Sequence, residues 1–104
     1  MRGLVQRIRV SNARLLELTT LDIRHRIYAE LLREAGPADR RGERIISPPP
    51  MQQVLAQRIG ARREPVSREM ARLVREGVLL RRRGALVLRR AAELERALAA
   101  ALDR

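Results

Sequence analysis

The residues with the most pointed chemistry lie in REPVSR, residues 63–68. Arg63 carries a planar fork of N–H donors that matches O6 and N7 of guanine, and Glu64 can accept from N4 of cytosine. Arg68, one helical turn beyond Glu64, can reach a second guanine or a phosphate. This charge is packed into the start of a helix, and a helix end, unlike its side, can be pushed into a groove. Pro65 suits a first turn, where it forfeits no intrahelical hydrogen bond. The free N–H groups at that end also welcome a phosphate. A local salt-bridge cluster is the other reading, because Glu64 and Arg68 stand at i, i+4. Both can hold, since such a pair also orients the arginine.

Several elements must position these side chains. Met51, Leu55 and Ile59 recur at spacing four and predict a short helix that Gly60 ends. The next helix, residues 63–76, carries Val66, Met70, Leu73 and Val74 on one face, with Glu64, Arg68, Arg72 and Arg75 roughly opposite. After Gly77 the period changes. VLLRRRGALVLRR holds two short β-favouring runs around Arg83-Gly84 and predicts a hairpin over residues 78–89. Two short helices across a tight glycine turn, then a hairpin with a basic tip, make a winged helix-turn-helix, mainly α with a small β-hairpin wing. In that geometry the second helix enters the major groove of double-stranded DNA. Arg81, Arg82 and Arg83 would meet phosphates at the wing tip, although a plain exposed turn would look the same. Gln52, Arg62 and Arg72 are further candidates for phosphate contact.

Upstream, Asp22 suits an N-cap, Ile23, Ile27 and Leu31 share a face, and Gly36-Pro37 is a stop signal. Residues 36–50 form a connector in which Arg44, Ile45 and Ile46 favour a short strand before three prolines. Leu4, Ile8, Ser11, Leu15 and Leu18 form a narrow seam that suits either a homodimeric coiled coil or a helix packed on the domain's own core. Thr20 and Asp22 mark a hinge after it. The organisation expected is therefore a linker or dimerisation helix over residues 1–21, a winged domain over 22–90, and a C-terminal helix over 91–104.

Composition bounds what else the chain can be. Its 104 residues allow one domain with a modest core. Phe and Trp are absent, so Leu, Ile, Val, Met and Ala must build that core. All 23 basic residues are arginine, and the net charge of +11 favours a polyanionic partner. Without cysteine there is no thiolate metal site, disulfide or thiol nucleophile. No apolar run approaches the roughly 18 residues of a membrane span, and the N-terminus lacks a cleavage signal, so a cytoplasmic, nucleoid-associated protein is expected. His25, the only histidine, is flanked by Arg24 and Arg26 and reads as solvated rather than catalytic. No carboxylate pair or phosphate-cradling loop suggests an enzyme. A basic RNA-binding or ribosome-associated helical protein would explain the charge equally well, but offers only Tyr28 for base stacking. A protein-interaction winged helix is the third alternative.

At these residues the chain resembles the Crp/Fnr transcription regulators. LAQRIG followed by REPVSR looks like that family's recognition motif, LTTLDI with Arg26-Ile27 resembles the segment after its dimerisation helix, and residues 78–88 match its wing. The resemblance implies base contacts from Arg63, Glu64 and Arg68, with Ser67 as a fourth, and TGA-like half-sites arranged as a palindrome for a dimer. RNA polymerase would be a further partner. It also implies that a sensory domain should precede residue 1, so that no cofactor belongs to this chain and the sequence reads as a fragment of a longer regulator. The sequence departs from the family at Met51, Val54 and Arg62. Met51 and Arg62 stand where a capping hydroxyl is usual, which predicts two helix starts without a side-chain cap.

Overall fold

The computed structural model describes residues 22–103, so the seam Leu4, Ile8, Ser11, Leu15 and Leu18 and the hinge residue Thr20 lie outside the described residues. The first element, α1, spans Ile23–Glu34. Asp22 caps it as expected, with Oδ1 accepting from the His25 backbone N–H at 2.9 Å. His25 is not simply solvated: its Nδ1 sits 2.7 Å from the same oxygen, and its ring meets Tyr28 edge-on at 5.5 Å. The C-terminal end of a helix leaves carbonyls without intrahelical donors, and at that end of α1 one arginine supplies the donors. The Arg44 guanidinium donates to the carbonyls of Leu32 and Ala35 at 3.0 Å and of Gly36 at 2.7 Å.

Arg44–Ile46 is the strand β1. Helix α2 follows over Gln52–Ile59, and Gly60, at φ 69°, takes the left-handed position that ends it cheaply. Helix α3 spans Arg63–Arg75 and buries Val66, Met70 and Leu73, the stripe its sequence spacing required. The hairpin comprises β2, Leu79–Arg82, and β3, Ala85–Leu88, joined at Arg83-Gly84. Helix α4, Ala91–Leu102, then returns across α1.

The wing is more than a hairpin. β1 pairs antiparallel with β3, so the order is β1-β3-β2, with Ile46 opposite Leu86 and Arg44 opposite Leu88. Leu79, Leu86, Leu88 and Ile46 turn inward and join Ile27, Leu31, Leu55, Ile59, Val66, Leu73 and Leu94 in one core cluster. Fully burying one such side chain stabilises by about 1.5–3 kcal/mol, so the sheet anchors the wing to the helices. A three-residue strand shows too little alternation for its partner to be read in advance.

Among the described residues one charged side chain enters this interior. Glu30 on α1 is 2% exposed. It is held by Arg33 of the same helix at 3.0 Å and by Arg58 of α2 at 3.5 Å. Arg58 also meets Glu34 at 3.0 Å, so one guanidinium ties α2 to two successive turns of α1. A buried carboxylate persists only when paired in this way.

Candidate nucleic-acid interface

The tight turn Gly60-Ala61-Arg62 sets the start of α3 beside α2. The Ala61 backbone N–H donates to Ala56 O at 2.9 Å and fixes that turn. With Val66, Met70 and Leu73 buried, the opposite face of α3 presents Glu64 and Arg68 to solvent, and Arg63 is exposed at the first position of the helix. Among the described residues none of these three side chains makes a hydrogen bond or ion pair. The i, i+4 pair between Glu64 and Arg68 is therefore not formed, because two exposed, hydrated side chains gain little from pairing. Their polar groups remain available to an outside partner.

Neither helix start has a side-chain cap. Met51 and Arg62 occupy the two N-cap positions without a capping hydrogen bond, as the missing hydroxyls foretold. The first-turn N–H groups of α2 and α3 thus face outward unsatisfied by side chains, the arrangement that accepts an anion.

Arg72 differs from expectation. Its Nε donates to Glu69 Oε1 at 3.1 Å, its Nη1 to Glu76 Oε2 at 2.8 Å, and its Nη2 to the Tyr28 hydroxyl at 2.9 Å. Glu69, chiefly, and then Glu76 hold its pKa above the usual arginine value. This guanidinium is spent inside the protein rather than held ready for a phosphate. Glu69 also receives Arg24 of α1 at 3.5 Å, so a charged hub joins α1 to the outer side of α3. Tyr28 at its centre is 6% exposed, which removes it as a platform for base stacking. Burial first, then the Glu69 charge, pushes its hydroxyl pKa up. Beside the hub an open groove of about 800 Å³ runs between the start of α1 and α3, with Arg24, Arg26, Arg68 and Arg75 among its walls.

Arg81, Arg82 and Arg83 are all exposed at the wing, where Gly84 makes the turn at φ 73°. Ser47 Oγ donates to Gly84 O at 3.0 Å and ties the tip to the proline connector. Arg62 is likewise exposed. Gln52 and Ser67, assigned separately to phosphate and base, are instead joined: the Ser67 hydroxyl donates to Gln52 Oε1. Residue spacing carries no sign of that bond, since the two residues sit on different helices.

The arrangement is thus an exposed, uncapped helix start with unpaired Arg63, Glu64 and Arg68, flanked by a basic hairpin tip. Residues 25–97 match the family model of the Crp-like helix-turn-helix domain. The chain belongs to that family. No curated relative matches it. Among solved structures, this Crp-like chain is similar to TTHB099, a transcriptional regulator of the CRP family from Thermus thermophilus, at 29% identity and a TM-score of 0.71 over 97% of this chain and 52% of that one. It is also similar to TTHA1359, a CRP/FNR family transcriptional regulator from the same organism, at 23% identity and a TM-score of 0.70 over 94% of this chain and 51% of that one. The reduced CO-sensing protein of R. rubrum shares the fold at 23% identity and a TM-score of 0.59, covering 90% of this chain and 46% of its own. The chain therefore spans about half the length of the regulators it matches.

Proposed function

We propose that this chain binds double-stranded DNA by sequence and regulates transcription. Helix α3 lies in the major groove with Arg63, Glu64 and Arg68 at base edges, while Arg62, Arg81, Arg82 and Arg83 meet the backbone. The observation that carries this reading is the set of exposed groups on the first two turns of α3 that are unpaired among the described residues: Arg63 at the helix start, and Glu64 and Arg68 on the face opposite the buried apolar stripe. Membership of the Crp-like helix-turn-helix family supports it, as does a net charge of +11. The finer proposal is a homodimer formed through residues 4–18 on a palindrome with TGA-like half-sites, with RNA polymerase as a further partner.

The test is selection of bound duplexes from a random pool at two salt concentrations. Enrichment of a palindrome supports readout by a dimer, and recovery of single half-sites supports readout by a monomer. Binding without enrichment that moderate salt abolishes defeats the reading and moves RNA or another polyanion forward. Replacing Arg63 and Arg68 by glutamate should abolish selection while leaving thermal stability intact, because neither side chain has a partner among the described residues.

A further inference from the structure

Ser67 stands on the base-reading helix, and its exposed neighbours invite its assignment as a base contact. Its hydroxyl proton is already committed. It is donated to Oε1 of Gln52, the first residue of α2, and both side chains are half-buried. Accepting at Oε1 leaves the amide nitrogen of Gln52 with two N–H donors that find no partner among the described residues. That side chain lines a cleft of about 260 Å³, whose other walls include Pro50, Met70, Arg81 and Arg82. The cleft thus lies between the uncapped start of α2 and the basic strand of the wing. Two guanidinium-bearing residues and a fixed amide around one opening suit a phosphodiester.

We infer that Ser67 is a positioning residue and not a base reader: its bond to Gln52 orients the amide N–H groups toward one backbone phosphate in the cleft between α2 and the wing. This links the register of the base-reading helix to that of the backbone contact, because Ser67 sits one position before Arg68. A shift of α3 along its axis would pull Gln52 away from its phosphate. The inference rests on the DNA-binding reading above.

The test uses the full chain, a selected duplex, its single-base variants, and a series in which each phosphate in turn is replaced by a neutral methylphosphonate. Ser67→Ala should weaken binding to all base variants by the same factor, about 3- to 10-fold, the size expected for one positioned hydrogen bond. The order of preference among bases should stay unchanged. At one phosphate, neutralisation should weaken Ser67→Ala and Gln52→Ala by less than it weakens the unaltered protein, the loss that remains belonging to Arg81 and Arg82, and the double variant should lose no more than Gln52→Ala alone. Ser67→Thr, which keeps the hydroxyl, should restore the sensitivity. A purely structural bond would lower the melting temperature and leave every variant with the phosphate profile of the unaltered protein. That profile overturns the inference, as does a changed preference at a single base pair in Ser67→Ala. If the unaltered protein shows no base preference at all, the DNA-readout proposal fails instead. The phosphate profile on a non-selected duplex then still decides the role of Ser67.

Discussion

The Tyr28 hydroxyl accepts a hydrogen bond from Arg72 Nη2 at 2.9 Å and so joins the inner face of α1 to the outer side of α3. It also lies 3.4 Å from Glu69 Oε2, the carboxylate that holds Arg72 in place. A phenol hydroxyl therefore adds to the apolar packing that holds α3 against α1. Tyr28→Phe should lower stability by about 0.5–1.5 kcal/mol, read from thermal or urea unfolding, with base preference unchanged. The pH dependence has a definite sign. The folded pKa of Tyr28 is raised above its ordinary 10.0, so its contribution is fully present below 10.0 and is lost as pH rises through the higher folded value. Tyr28→Phe should remove that alkaline slope.

Arg44 contributes through geometry more than through charge. Its guanidinium reaches three carbonyls around the end of α1, and its strand simultaneously pairs with β3. A lysine ammonium is a compact point charge that cannot span three acceptors in this way. Arg44→Lys should therefore cost nearly as much as Arg44→Ala, about 1.5–3 kcal/mol, with the fraying expressed at the last turn of α1. Hydrogen exchange at residues 31–36 would record it. A lysine variant as stable as the original would show that charge alone suffices.

These two arginines also show where sequence reasoning reached and where it stopped. The stripe Val66, Met70, Leu73 has helical spacing, and Gly60, Gly77 and Gly84 take the positive φ values that close α2, α3 and the hairpin. All of that is local and was legible. The exposure of Glu64 and Arg68 followed from the same stripe, and that of Arg63 from its place at the start of the helix. Arg72 lies on that outer side by rotation alone, yet its role depends on Tyr28, which is distant in sequence and close only after folding. Nothing in the sequence distinguishes Glu30 from its charged neighbours, and its pairing with Arg58 of α2 exists only after folding. The pairing of β1 with β3 and the bond from Ser67 to Gln52 are likewise tertiary facts with no periodic signature.

Asp22 begins α1 by accepting the His25 N–H, and that bond, more than any other influence, lowers its carboxyl pKa below 3.8. Asp22→Ala should cost about 0.5–2 kcal/mol, whereas Asp22→Asn should retain most of the cap. Because the folded pKa is depressed, the contribution is fully present above 3.8 and fades as pH falls through the lower folded value. Unfolding profiles taken down this acid range should converge for the unaltered chain and Asp22→Ala, with the asparagine variant showing no such slope from this position.

Arg63 and Arg82 are both exposed arginines near the same candidate interface, and they should behave differently. Arg63 occupies the first position of α3, where a bidentate pair with guanine discriminates against other bases by about 1–3 kcal/mol. Arg63→Ala should lose that amount on the preferred duplex and little on a duplex altered at the one base pair it reads. Arg82 ends β2 beside the wing turn, where backbone charge is the available partner. Arg82→Ala should weaken all duplexes alike and reduce the slope of log K against log salt by about 1, as one released phosphate contact requires. Titrations of both variants on matched and mismatched duplexes, each at several salt concentrations, separate the two roles. Uniform loss in both would remove Arg63 from base readout and leave it as one more backbone contact.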